Sequence, residues 1–302
     1  MIRKLAQLAV LAAIAGGLVF WFLTMPERVD AASVASMPPG DAEAGRLVFH
    51  QAGCSSCHAR PEAKGDDKLL LAGGHRFATA FGTFVAPNIS SDKTAGIGGW
   101  TLEQFATALT KGVSPDGRHY YPAFPFTSYA RMTPKDVSDL FVYMQTLPAV
   151  SEAAPPHEVG FPFNIRRGLG LWKLLFLKDG PVETLPADAS DALKRGQYLV
   201  EGPGHCGECH TPRNAIGGLQ LADWLEGAVA AEGEGKVPNI SQGEGGISGW
   251  SEKDIAYYLE SGFTPEFDSV GGSMVAVQEN MSKLPASDRE AIAAYLKTVK
   301  GD

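Results

Sequence analysis

The chain has 302 residues, a formal charge of −8, and 44% hydrophobic against 20% charged residues. These are the proportions of a folded chain, at a length that suits two domains. The acidic balance argues against a nucleic-acid partner, whose phosphates demand a basic surface. A single long apolar run excludes a polytopic membrane protein, and 35 Gly with 20 Pro imply much loop.

Arg3 and Lys4 precede an apolar run from Leu5 to Leu23 in which Gln7 is the one polar residue. The run is close to the roughly 20 residues that span a bilayer and longer than a usual signal-peptide core. Trp21 stands where an interfacial aromatic would. Residues 1–25 are therefore expected to form an uncleaved anchor, with a signal peptide cleaved near Val29-Asp30-Ala31 as the alternative. With the basic residues inside, the remainder lies outside the cytoplasm. Residues 26–40, with Pro26, Pro38, Pro39 and Gly40, read as a tether.

A first unit is expected over 41–148. A helix over about 41–53, capped by Asp41, leads into Cys54-Ser55-Ser56-Cys57-His58. Two Cys spaced this way could be a redox dithiol, half a zinc site or a haem attachment site, and the His directly after the second Cys selects haem. Each thiol would then form a thioether and His58 would be the proximal iron ligand. A Gly- and Pro-rich loop follows, then a middle helix after Trp100. The last helix starts at about Pro134 behind a Thr133 cap, with Val137, Leu140, Phe141, Met144 and Leu147 on one face. Met132, just before it, is the best candidate for the sixth ligand. Met144 is the rival but reads as core, and a bis-His haem using His75 or His119 is the other alternative.

Residues 149–189 match nothing elsewhere in the chain. They hold Phe161, Phe163, Leu169, Leu171, Trp172, Leu174, Leu175, Phe176 and Leu177 together with Arg166, Arg167, Lys173 and Lys178. This linker either fills the groove between the two units or serves as a partner-docking or membrane-surface segment.

The second unit, 190–302, repeats the first. Ser190 caps a helix to about 204, and Cys206-Gly207-Glu208-Cys209-His210 repeats the motif. Pro87-Asn88-Ile89-Ser90 returns as Pro238-Asn239-Ile240-Ser241, the Gly-Trp pair 99–100 as 249–250, Gly45 as Gly196, and Tyr143 as Tyr295. The spacing stays at about 150 residues, which means duplicated domains rather than a solenoid. Zinc ligands pooled across such a gap would be unusual. In the last helix Ser287 and Glu290 are expected to form a capping box, with Ile292, Tyr295, Leu296 and Val299 as the stripe. A gapless match of the final helices sets Leu284 opposite Met132. Met274, after Gly271-Gly272-Ser273, is the expected sixth ligand, presented from a loop, with Met281 as the alternative.

These residues resemble class I c-type cytochromes, and more narrowly the multihaem cytochrome subunits of bacterial periplasmic alcohol and aldehyde dehydrogenases. The resemblance covers about 41–302. It rests on the two motifs, on Phe81-Gly82-Thr83-Phe84 leading into Pro87, on the Gly-Trp pairs, on Tyr120-Tyr121-Pro122-Ala123-Phe124-Pro125, and on Phe161-Pro162-Phe163-Asn164-Ile165-Arg166. It implies an all-α protein of two tandem class I cytochrome c domains behind an N-terminal transmembrane helix. It also implies two covalent haem c groups, Met132 and its counterpart Met274 as sixth ligands, and Pro87 and Pro238 carbonyls accepting from the proximal histidines. Gly45/Phe49 with Leu140/Tyr143, and Gly196/Val200 with Ile292/Tyr295, would be the helix crossings. The cytochromes it resembles most often carry three haems; this chain has two motifs.

The expected function is electron transfer without substrate turnover. A periplasmic dehydrogenase would be the donor and quinone, a small cytochrome or an oxidase the acceptor, at the bacterial inner membrane with both haem domains in the periplasm. A catalytic dihaem enzyme such as a peroxidase, or a haem subunit of a terminal oxidase, is the alternative.

Overall fold

A computed structural model of the chain describes residues 1–231 and 235–301. Helix α1 (Ile2–Leu23) is long and apolar enough to cross a membrane by length and composition, and all its residues are exposed. Burial begins at Thr24, which is wholly covered.

The first half is built around one apolar cluster. After α2 (Ala31–Ala35) come α3 (Ala42–Gln51), capped by Asp41 as expected, and α4 (Cys54–His58). A Thr101–Gln104 capping box opens α5 (Leu102–Lys111), and Gly112 in the left-handed region ends it. The short α6 (Phe126–Tyr129) precedes α7 (Pro134–Thr146), where Thr133 is the cap and Pro134 occupies the first turn, where its missing N–H costs nothing. Helices α3 and α7 cross at Gly45. A Cβ there would lie 2.0 Å from the Asp139 carbonyl oxygen, so glycine is what allows the approach. Phe49 packs edge-on to Tyr143 beside it, ring centroids 5.4 Å apart. Val137, Leu140, Met144 and Leu147 of the expected stripe are buried in this cluster, with Phe141 at its margin.

The linker contains α8 (Leu169–Phe176). It touches both halves. Trp172 lies edge-on to Phe126, centroids 6.2 Å apart, and donates its indole N–H to the Ile216 carbonyl at 2.9 Å. Buried Lys173 donates to the carbonyls of Lys111 and Gly112, both at 2.6 Å, at the negative end of α5. Burial pulls its ammonium from 10.5 down to about 7. The folded state therefore binds fewer protons than the unfolded chain between those values, and stability rises with pH across that window. Lys173→Met is expected to flatten the rise. Denaturant melts at about pH 7 and about pH 9 check this, and equal pH slopes in the two proteins would exclude Lys173 as its source.

The second half repeats the plan with α9 (Asp191–Glu201), α10 (Gly207–His210), α11 (Glu252–Ser261), α12 (Met274–Met281) and α13 (Ala286–Leu296) around its own cluster. Ser190 caps α9. Gly196 sits at the α9–α13 crossing, where a Cβ would be 1.9 Å from the Ala291 carbonyl oxygen. Ile292, Tyr295, Leu296 and Val299 are all buried.

Three local expectations differ. The loops after the motifs contain two short antiparallel hairpins, β1 (Arg76–Thr79) with β2 (Gly82–Val85), and β3 (Ala228–Val229) with β4 (Lys236–Val237). Helix α13 begins at Ala286, after Pro285, without a Ser287–Glu290 box. Its first turn is fixed instead by Asp288, which accepts from Arg195 at 2.9 and 3.0 Å and from Gln51 at 3.2 Å. Met274 is the first residue of α12 rather than part of a loop.

Candidate functional site

Each five-residue motif is held by the same backbone cradle. His58 Nδ1–H donates to the Pro87 carbonyl at 2.8 Å, and His210 Nδ1–H to the Pro238 carbonyl at 2.8 Å. The His58 carbonyl accepts from Gly73 N–H at 2.7 Å, and the His210 carbonyl from Gly227 N–H at 2.7 Å. Both glycines have positive φ, and a Cβ on Gly73 would lie 2.4 Å from the Ala86 carbonyl oxygen. Leu71 and Leu225 accept from Ile89 and Ile240, which ties each Pro-Asn-Ile-Ser segment beneath its motif.

The donor chemistry fits haem. Burial holds the pKa of His58 and of His210 below the usual histidine value and so favours the neutral ring. With Nδ1 committed to a carbonyl, Nε2 keeps the lone pair a metal needs. Burial pushes the Cys54 and Cys206 thiols up to about 12, which keeps them protonated. Among the described residues no three His, Cys, Asp or Glu side chains are grouped to hold a lone metal ion.

The two motifs differ in one packing detail. Ser55 is buried in the first. In the second the same position is Gly207, because the Trp224 indole fills the space, with a Cβ only 2.0 Å from its ring.

Met132 is buried in the first cluster and Met281 in the second, while Met274 is half-buried at the edge of the second. Backbone hydrogen bonds give the register of the two halves. Tyr120 N–H donates to Gly112 as Val270 N–H does to Gly262, which sets Phe124 opposite Met274. Met132 N–H donates to Tyr129 as Leu284 N–H does to Met281, which sets Leu284 opposite Met132. Met132 and Met274 therefore occupy different register positions in the two halves. The second loop is longer, and the two halves offer sulfur from different places.

Both ring nitrogens of His119 are engaged within the protein. Its Nε2 bonds the Thr24 carbonyl at 3.0 Å and its Nδ1 lies 3.1 Å from Lys173 Nζ. His75 stacks on Phe77, centroids 4.6 Å apart.

Sequence reasoning did not find how the motifs meet. Each docks on the other half. Glu208, inside the second motif, accepts from Thr127 Oγ1 at 2.6 Å and Ser128 Oγ at 3.0 Å, both on α6, and pairs with Arg213 at 2.5 Å. Burial raises its carboxyl, but Arg213 and the Thr127 hydroxyl outweigh that and hold it below the ordinary value. In return Ser56, inside the first motif, donates to the Ala276 carbonyl and accepts from Asn280 Nδ2 at 3.0 Å, both on α12. Between them, the Tyr129 hydroxyl and the Nε2–H of His205, the residue before Cys206, both donate at 3.2 Å to the carbonyl of Ala52, two residues before Cys54. The one signal in the sequence was a charged residue, Glu208, between the two cysteines of the second motif.

The chain matches the cytochrome c family model over residues 42–148. Over 297 residues it is 50% identical to a diheme cytochrome c-type protein of Cereibacter sphaeroides, covering 98% of each chain. It is 38% identical over 257 residues to the fructose dehydrogenase cytochrome subunit of Gluconobacter japonicus, covering 84% of this chain and 52% of that one. It is 32% identical over 278 residues to the cytochrome c subunit of a quinone alcohol dehydrogenase of Gluconacetobacter polyoxogenes, covering 88% and 58% respectively. The chain thus spans little more than half the length of these dehydrogenase subunits.

Proposed function

The chain belongs to the cytochrome c family and binds two haem c groups covalently; from this premise we propose that it carries electrons from a membrane-associated dehydrogenase towards the respiratory chain. We read residues 41–148 and 190–302 as two class I cytochrome c domains, 149–189 as their linker, 26–40 as a tether, and 1–25 as a span of the bacterial inner membrane that leaves both domains in the periplasm. Bound haem supplies a one-electron iron couple, and a methionine sixth ligand raises its potential. In the first domain Cys54 and Cys57 would hold the group, with His58 and Met132 as iron ligands. In the second, Cys206 and Cys209 would hold it, with His210 and Met274 as ligands and Met281 as the alternative to Met274.

The observation that carries this reading is the reciprocal docking of the two attachment segments. Glu208 on Thr127 and Ser128, and Ser56 on Ala276 and Asn280, hold the motifs against one another. That arrangement suits hand-over between two centres better than two independent sites. Pro87 and Pro238 fix the proximal rings, and His205 and Tyr129 bridge the seam at Ala52. The relatives that serve fructose and alcohol dehydrogenases support a dehydrogenase as donor, with quinone, a small cytochrome or an oxidase as acceptor.

Gentle solubilisation of membranes should bring down a dehydrogenase whose substrate reduces both haems of this chain. Copurification with an oxidase alone, or rapid turnover of hydrogen peroxide by the reduced protein, would overturn the proposal. The ligand assignment has its own test. Met132→Ala should remove the sulfur-to-iron absorption band of one haem and lower that haem's potential, leaving the other unchanged. An unaltered band and titration would exclude Met132.

A further inference from the structure

The linker helix carries a face that the electron-carrier reading does not use. Gly170 and Lys173 of α8 point inward, whereas Leu171, Leu174 and Leu175 are 39%, 53% and 62% exposed. Just before the helix, Phe161, Phe163 and Ile165 are 81%, 45% and 52% exposed. So dense an apolar surface on one short segment marks a contact face.

Its position says what covers it. The C-terminal end of α1 is bolted to this segment. Arg167 donates to Thr24 Oγ1 and to the Trp21 carbonyl, both at 2.7 Å, and its guanidinium lies 4.1 Å from the centre of the Trp21 ring. His119 bonds the Thr24 carbonyl, and a Cβ on Gly170 would lie 2.6 Å from Thr24 Cα. The exposed leucines therefore start at the level where α1 ends, beside Trp21, the residue type that favours the boundary between headgroups and acyl chains. Lys178, exposed just past α8, would add a cation for lipid phosphates.

We propose that residues 161–176 lie flat in the interfacial layer of the bilayer beside α1, with Leu171, Leu174 and Leu175 entering the acyl-chain region. The chain would then grip the membrane twice, by a span and by an in-plane patch, and the two haem domains would be held at a set height and tilt instead of swinging on a single tether. The proposal rests on reading α1 as a membrane span, and the experiment separates the two.

Full-length holoprotein is reconstituted into phosphatidylethanolamine–phosphatidylglycerol vesicles doped with a phospholipid that carries a photoactivatable diazirine on its acyl chain. Adducts are mapped by peptide mass spectrometry. Adducts are expected on both 2–23 and 161–176. The triple variant Leu171→Ser, Leu174→Ser, Leu175→Ser, with haem content confirming its fold, should lose most labelling of 161–176 while 2–23 stays labelled. Labelling of 2–23 without 161–176 would overturn the proposal and leave the span intact. Labelling of neither would remove the span and the proposal together. If 161–176 escaped the lipid probe and became protected from hydrogen exchange only in complex with a dehydrogenase, the occupant would be a protein and the proposal wrong.

Discussion

Gly196→Ala is expected to destabilise the protein by about 3 kcal/mol, at the upper end of the usual overpacking range. The added methyl would lie 1.9 Å from the Ala291 carbonyl oxygen and 2.9 Å from Tyr295 Cβ. Neither neighbour can retreat cheaply. One is helix backbone, and the other belongs to a tyrosine with no exposed surface, whose hydroxyl donates to buried Glu201 at 2.5 Å. Helices α9 and α13 would have to move apart, and with them the floor beneath Cys206. Denaturant melts of the holoprotein check the loss, with Gly249→Ala as the control because nothing lies within 4 Å of that Cβ. Equal midpoints for the two variants would mean that the crossing has slack. Gly45→Ala should repeat the effect in the first half, at 2.0 Å from the Asp139 carbonyl oxygen.

The second large effect is at Glu208. Truncation to alanine leaves the Thr127 and Ser128 hydroxyls without their acceptor and Arg213 without its carboxylate. Leaving buried polar groups unpaired costs about 2 kcal/mol, below the figure for a wholly buried ion pair because the Arg213 side chain is 27% exposed. Its pH dependence has a definite sign. The folded carboxyl titrates below its ordinary value of 4.5. Its ionic contribution is therefore complete above that value and is lost as pH falls through the folded pKa. Wild type and Glu208→Gln, which keeps the shape but not the charge, should differ in urea midpoint at neutral pH and converge in acid. A difference that persisted below the ordinary carboxylate range would show that the charge is not what is missed.

The duplicated plan was legible from the chain because a haem-attachment motif must keep its residues adjacent. Both motifs and both Pro-Asn-Ile-Ser segments lie in short unbroken runs. The helices were legible through their caps and stripes, and Asp41, Thr133 and Ser190 cap as expected. Ser287 misled because capping is a local rule, and here it lost to a long-range bond: Asp288 is drawn to Arg195 and Gln51. The seam between the halves left no periodic trace. Ser56 with Asn280 and Glu208 with Thr127 are contacts between residues far apart in the chain, set by how the two halves meet. Spacing back from the last helix set Leu284 opposite Met132, as the backbone register does, whereas the pairing of Met132 with Met274 came from the resemblance; the extra residues of the second loop are absorbed between those two points, where Phe124 faces Met274 in register. Helix α8 escaped notice because its outward leucines break the polar-out pattern by which a surface helix is recognised.

The reciprocal seam also constrains biogenesis. An enzyme that joins porphyrin to a thiol pair must grasp the short peptide around it. Once the halves have closed, Ser56 lies on α12 and Glu208 on α6, so the middle of each peptide is covered. Attachment must therefore come before closure. A copy that missed one cofactor would lack part of the packing on one side of the seam, so closure would register whether both groups had been attached.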